Sequence, residues 1–276
     1  MAAMTGRPYG SSMATATLPV GDLLRDWRHR RRRSQMDLAL DVGVSPRHLS
    51  FVETGRSRPS PEMVLAVARH LEVPLREQNT LLLAAGYAPR YAETSIDDES
   101  MTRIRASLQR MLDAHDPYPG VVIDRQWDVV LANSAALALV ADVPEHLLGP
   151  TLNVFRVCLH PDGLAARTRN LPEWAGYLLH QIDRAVRLTG DARLTRIATE
   201  VRSYPNIAAL GDLPTEVDQP LLVPVVLDVG GTDVAMFTTL TTFGTPRDVT
   251  LDELAVELFF PADDAADAHL RSAGAG

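Results

Sequence analysis

The stretch SPRHLSFVETGRSRP, residues 45–59, sets three arginines and a histidine around three apolar residues, Leu49, Phe51 and Val52. Leu49 and Val52 are three apart and share one face of a helix. Pro46, Arg47, Ser50 and Phe51 then fall on the opposite face, with His48 at the flank. Ser45 is a good N-cap, and Pro46 occupies the first helical position, where its missing N–H is no loss. The helix ends before Gly55.

Outward from this stretch the pattern stays helical from about Gly21 to Leu83. A first helix covers 21–32 with Leu23, Leu24 and Trp27 apolar. Ser34 and Asp37 form a capping-box pattern before a second helix, 35–42, that buries Leu38, Ala39 and Val42. Gly43 suits a left-handed residue at its end. Ser60-Pro61 repeats the cap-and-proline signature for a fourth helix carrying Val64, Leu65, Ala68 and Leu71. A fifth, 75–85, stops at Gly86.

Two helices of about eight residues joined by Gly43-Val44-Ser45 match a helix-turn-helix, whose second helix lies in the DNA major groove. The face chemistry assigns roles. Arg47 suits guanine O6 and N7, with a phosphate contact as the alternative, and Phe51 suits a thymine methyl. Ser45, Pro46, His48 and Ser50 complete the exposed surface. Gln35 is placed to give its side chain and its helix N-terminal amides to a phosphate. Arg56 and Arg58 read as charges that position the DNA backbone. The Arg30–Arg33 run reads equally as a phosphate contact or as a solvated helix end.

The segment SQMDLALDVGVSPRHLSFVETGRSRPS, residues 34–60, resembles the XRE-family (Cro/C1-type) five-helix DNA-binding domain. The resemblance covers about 21–85. It is carried by Ser34-Gln35, Leu38-Ala39, Gly43-Val44-Ser45, Leu49, Glu53, Gly55, Pro59 and Ser60. It implies that Arg28 of the first helix pairs with Glu53 at the end of the recognition helix. Arg33 stands where the family usually has leucine. Its aliphatic stem can cover that gap while its head reaches solvent.

Charge agrees with a DNA partner at one end only. The chain carries −8 overall, but residues 1–60 hold ten arginines against five acidic residues, a net of +5, leaving −13 for the rest. All 27 basic residues are arginine. A single cysteine, Cys158, allows no internal disulfide, which fits a reducing cytoplasmic setting. No apolar run is long enough for a membrane helix. Residues 1–17 lack an apolar signal core and read as a disordered leader.

After a polar stretch taken as a linker, 87–100, the composition changes. GVVID and WDVVLAN read as a hairpin. Helical patterns follow near 134–140, 151–159, 172–188 and 191–210. LLVPVVLDV, a turn at Gly230-Gly231 and DVAMFTTLTTF form a second hairpin. LAVELFFP is a last strand, and 264–276 reads as a disordered tail. Strands, then helices, then strands favour an α+β domain with an antiparallel sheet over 101–263. The first domain takes 18–86.

LREQNTLLLAAGYAPRYAET, VVIDRQWDVVLANSAA and NVFRVCLHP are similar to regulators with an MmyB-like ligand-binding domain. That resemblance implies a PAS-like fold, a small antiparallel sheet wrapped by helices around an apolar pocket. It further implies a fatty-acid-like, apolar or amphipathic ligand. Trp127, Phe155, Trp174, Tyr177 and Phe237 are candidate pocket residues, with plain core as the competing assignment. Asn133 is either a pocket residue or the cap of the next helix. Arg156 lies in an apolar stretch and requires an anion, either a protein carboxylate or that of a ligand.

Nothing in the sequence assembles an enzyme. Cys158 reads as a small hydrophobe before it reads as a redox sensor. The eight histidines make no metal-ligand spacing. His160 and Asp162 read as part of a turn. No cofactor is expected. A homodimer is expected, because one helix-turn-helix reads only a half-site. Two rivals stand beside ligand sensing: a second domain that only dimerises or recruits a protein, and an enzyme fused to a DNA reader.

Overall fold

The computed structural model describes residues 18–211 and 222–274. The chain divides into two compact units between Tyr91 and Ala92. The leader expected at 1–17 lies outside the described residues. No helix among those described is long and apolar enough to cross a membrane.

The first unit is a bundle of five helices: α1 Val20–Arg30, α2 Gln35–Val42, α3 Pro46–Glu53, α4 Pro61–His70 and α5 Leu75–Ala84. Their boundaries follow the caps. The Ser34, Ser45 and Ser60 side chains accept from the amides of Asp37, His48 and Met63. Gly43 takes the left-handed conformation at φ 76°, where a β-carbon would add strain. Leu24, Leu38, Leu49, Val52, Val64, Leu71 and Leu81 close one core. Helix α1 is shorter than expected, because Arg32 turns left-handed at φ 52°.

Gly21 is the contact point that sequence reasoning missed. A β-carbon there would lie 2.4 Å from the Val52 carbonyl oxygen and 2.8 Å from that of Glu53. The absent side chain lets α1 cross the end of α3 at backbone distance.

The second unit begins with α6, Thr102–Asp113, after a 3-10 turn. Strands β1 Gly120–Ile123 and β2 Val129–Ala132 follow. Then come α7 Ser134–Leu139, α8 Glu145–Leu148, α9 Val154–Leu159, α10 Leu171–Thr189, α11 Ala192–Arg202 and α12 Pro205–Ala208. The chain closes with β3 Val225–Val229, β4 Thr232–Thr242, α13 Val249–Glu253, β5 Ala255–Pro261 and α14 Asp264–Ala273. The strands make one antiparallel sheet in the order β2-β1-β5-β4-β3. The last strand in sequence is therefore central. Both expected hairpins form, the second with its turn at Gly230-Gly231 between paired Val229 and Thr232.

One face of the sheet packs on α9, α10 and α11 around Phe155, Trp174, Ile182, Val234 and Met236. The other face packs on α6 through Leu108, Leu112, Val122 and Val256. That helix was not anticipated, although Ile104, Leu108 and Leu112 repeat every four residues.

Three expectations are corrected. The helix expected over 191–210 breaks at Tyr204, because Pro205 has no N–H to continue it. The tail expected from 264 is the helix α14, which buries Ala266 and Leu270. The stretch expected as a linker is anchored at both ends. Asn79 bonds the backbone of Arg90 and Tyr91, while the Thr94 hydroxyl donates to Asp248 at 2.6 Å.

Substituting Gly21→Ala will force α1 away from α3. The expected loss is about 1–3 kcal/mol of stability, the usual cost of overpacking. Denaturant unfolding followed at Trp27 of the first unit checks it, and an unchanged midpoint would contradict the close approach.

Candidate functional site

Helix α3 is held by its C-terminal residue. Glu53 is 1% exposed and receives two parallel bonds from Arg28, Nε to Oε1 at 2.8 Å and Nη2 to Oε2 at 2.9 Å. Gln35 donates a third at 2.7 Å, and Arg25 donates to the Glu53 carbonyl at 3.0 Å. Burial pushes the Glu53 carboxyl up. The bonds from Arg28 and Gln35 and the charges of Arg28 and Arg25 outweigh it and hold the group below 4.5. The pair implied by the resemblance is thus present, with Gln35 and Arg25 added to it.

With Leu49, Val52 and Glu53 turned inward, α3 presents Pro46 and Arg47 to solvent, with His48, Ser50 and Phe51 half-buried beside them. The Arg47 guanidinium lies 5.3 Å from the centre of the Phe51 ring and Arg56 lies 5.9 Å from it. An aromatic ring flanked by two cations on a convex helix face suits a polyanion with flat apolar edges.

Three expected roles change. The Gln35 side chain turns in to Glu53 and is not free for a phosphate, which leaves only its N-terminal amides for that task. Arg58 bonds the carbonyls of Ala85 and Gly86 at 2.9 and 3.1 Å and covers Tyr87, so it clamps the end of α5 instead of facing a ligand. In the run of four arginines, Arg30 pairs with Asp26, Arg31 bonds the carbonyls of Leu71 and Glu72, and Arg33 pairs with Asp41. Arg31 and Arg33 thus staple the bundle, while Arg30 pairs within its own helix.

In the second unit, Trp127 leans on Phe155 at 4.7 Å and Trp174 stacks on Tyr177 at 5.0 Å, all within one apolar cluster. Trp127 is left-handed at φ 62° in a turn that the Asp124 carboxylate caps by accepting from the amides of Gln126 and Asp128. Asn153, Arg193 and Asp128 tie that turn to α9 and α11. Phe237 is not part of this group. Its register partner is Phe260, on which it stacks at 5.5 Å, and Phe260 meets His115. The pleat turns both away from Thr238 and Phe259, so Phe237 lies on the opposite face.

Asn133 is buried and fully occupied. It caps α7 through the Ala136 amide and bonds Leu112, Tyr118 and Gly120. Arg156 pairs with Glu200 through two bonds, 2.9 and 2.7 Å, and Tyr204 donates to the same carboxylate. Its anion is the protein's own.

Burial pushes the Cys158 thiol up to about 12, far from a reactive thiolate. His146, His160 and Asp162 bring their ligand atoms within 4.8 Å of one another, the one such group among the described residues. His146 is too distant in sequence for spacing to have revealed it. Glu257 of β5 was missed as well. It is 4% exposed, and burial pushes its carboxyl up to about 7 against a bond from Thr238. A lone acid inside LAVELFFP was the available signal.

Two family profiles match. One, described as a helix-turn-helix domain, covers residues 19–81, and the other, the MmyB-like transcription regulator ligand binding domain, covers 104–273. The chain is 29% identical over 120 residues to the transcriptional regulator ClgR of Mycobacterium tuberculosis, in strains CDC 1551 / Oshkosh and ATCC 25618 / H37Rv. The alignment spans 44% of this chain and 92% of that regulator. A solved RNA-binding light-oxygen-voltage receptor aligns at 12% identity and a TM-score of 0.26, over 91% of this chain and 63% of that one. That likeness is too weak to bear on the fold.

Glu53→Ala will leave Arg28 buried and unpaired and will cost about 3–5 kcal/mol. Because the folded carboxyl titrates below its unfolded value, its stabilisation is full above pH 4.5 and is lost as pH falls through the lower folded value. Glu53→Gln should flatten that acid limb. A limb of unchanged steepness in calorimetry would contradict it.

Proposed function

This chain belongs to the family of transcription regulators with an MmyB-like ligand binding domain, and we propose that α3 reads a double-stranded operator while the second unit senses a small molecule. The family and the ClgR similarity point to regulation and away from an enzyme. The outward face of α3 is the observation that carries the DNA-reading part. Arg47 is exposed in the first turn of α3 and Phe51 is half-buried one turn on, on the side away from the inner face locked by Glu53. Arg47 pairs with guanine, Phe51 meets a thymine methyl, and Ser45, His48 and Ser50 contact the groove walls. Arg56 supplies backbone charge.

In this proposal two copies read two half-sites about 34 Å apart. The second unit takes an apolar or amphipathic, fatty-acid-like molecule between the sheet and the aromatic cluster of Trp127, Phe155, Trp174 and Tyr177, which lie in the β1–β2 turn and on α9 and α10. A PAS-like relation is supported by one antiparallel sheet with α7–α12 inserted between β2 and β3. The ligand alters DNA binding only if it prefers one of the two DNA-affinity states. The alternative, a second unit that only dimerises or recruits a protein, predicts no thermal shift with any lipid or metabolite pool.

Arg47→Ala should lose about 1–3 kcal/mol on the selected site and relax preference at one base pair, read by anisotropy titration against single-base variants. Equal weakening on all sequences would make Arg47 a phosphate contact. Arg56→Ala should reduce the salt slope by about one, whereas Arg58→Ala should leave the slope intact and lower the melting temperature. The reverse pattern would contradict both assignments.

A further inference from the structure

Two histidines and an aspartate converge in the second unit that neither DNA reading nor ligand sensing uses. His146 lies on α8, His160 follows the last residue of α9, and Asp162 comes two residues later. Their ligand atoms all lie within 4.8 Å of one another. The His146 and His160 rings meet in a T at 5.7 Å, and Oδ2 of Asp162 stands 3.9 Å from Nδ1 of His160.

The backbone that carries the three is fixed. The Gly163 amide closes the turn from His160 to Gly163 by donating to the His160 carbonyl at 2.9 Å. The His160 ring rests on Tyr204 at 4.8 Å, and the Tyr204 hydroxyl donates to Glu200 at 2.9 Å. The Asp162 amide donates to Nδ1 of His160 at 3.1 Å, a bond that requires an unprotonated nitrogen, as metal ligation does. On α8, Leu147 beside His146 is anchored in the main apolar cluster.

The side chains are open where the backbone is not. His146 and Asp162 are exposed and His160 is half-buried, so the point between them is reached from solvent. Among the described residues no arginine pairs with the Asp162 carboxylate, and His160 is the ring that His146 meets. Two imidazoles and a carboxylate are a donor set that suits zinc and its neighbours in the first transition row better than magnesium or calcium. Tetrahedral zinc with bonds of about 2.0–2.2 Å holds its ligand atoms about 3.4 Å apart. Rotation of the two exposed side chains closes the group to that spacing.

We propose that His146, His160 and Asp162 form a binding site for a divalent first-row transition metal of the zinc class. Water fills the fourth position, as in other zinc sites with three protein ligands. The metal ties α8 to the turn after α9, so the bound form is the more stable one. This site stands apart from the DNA-reading and ligand-sensing proposals.

Titration calorimetry of the chelator-stripped full chain with zinc chloride, and with magnesium chloride as the control, tests it. One equivalent of zinc is expected to bind through this group and to raise the melting temperature, whereas magnesium does neither. His146→Ala and Asp162→Asn each change an exposed side chain. Each should weaken that binding at least about tenfold and leave the metal-free melting temperature as it is. His29→Ala, which removes an exposed histidine of α1, should keep the wild-type affinity. Wild-type affinity retained in either His146→Ala or Asp162→Asn would put the zinc on other surface groups and overturn the site. An absence of zinc binding, or magnesium binding as tight as zinc, would overturn it too.

Discussion

A buried ion pair fixes the orientation of α3. Glu53 closes α3 and is almost fully enclosed, so it requires partners for both carboxylate oxygens. Arg28 supplies a planar, two-bond match that a lysine could not reproduce. Gln35 binds the same carboxylate from the start of α2. Three helices therefore meet at one charge. Such a pair contributes little net stability over an apolar substitute, but breaking it is costly. Its main effect is rotational: with Glu53, Leu49 and Val52 inward, Arg47 and Phe51 have to face out. Gly21 makes the arrangement possible by letting α1 approach the α3 carbonyls.

Much of the first unit was legible because short-range chemistry decides it. Ser34, Ser45 and Ser60 are caps wherever they occur before an apolar periodic run, and the helix starts follow from them within a residue. Side-chain partners across the bundle were less legible. Arg58 looks like a free loop cation until the end of α5 arrives beside it, and Gln35 looks free until Glu53 does. Both contacts join residues 18 or more apart in sequence, which no local pattern encodes.

The second unit shows the same division. Its strands could be read from β-branched runs and a Gly-Gly turn, and its α+β class follows from their order. Their lateral order could not, since β5 enters between β1 and β4 from the far end of the chain. Phe237 was grouped with the other aromatics by residue type, yet the period-two pleat turns it to the other face. Arg156 met a carboxylate of the protein, as one of its two alternatives required. Glu257 passed as an ordinary strand residue because burial on a central strand is a property of the sheet, not of the segment.

The most direct test of α3 as the DNA reader is methylation interference on a site selected from genomic fragments by the full chain. Groove reading through Arg47 predicts that methylating guanine N7 at the selected half-sites abolishes binding, on one face of the duplex and at a spacing of about 34 Å. Interference confined to minor-groove adenine N3, or association with DNA that is insensitive to salt, would contradict it.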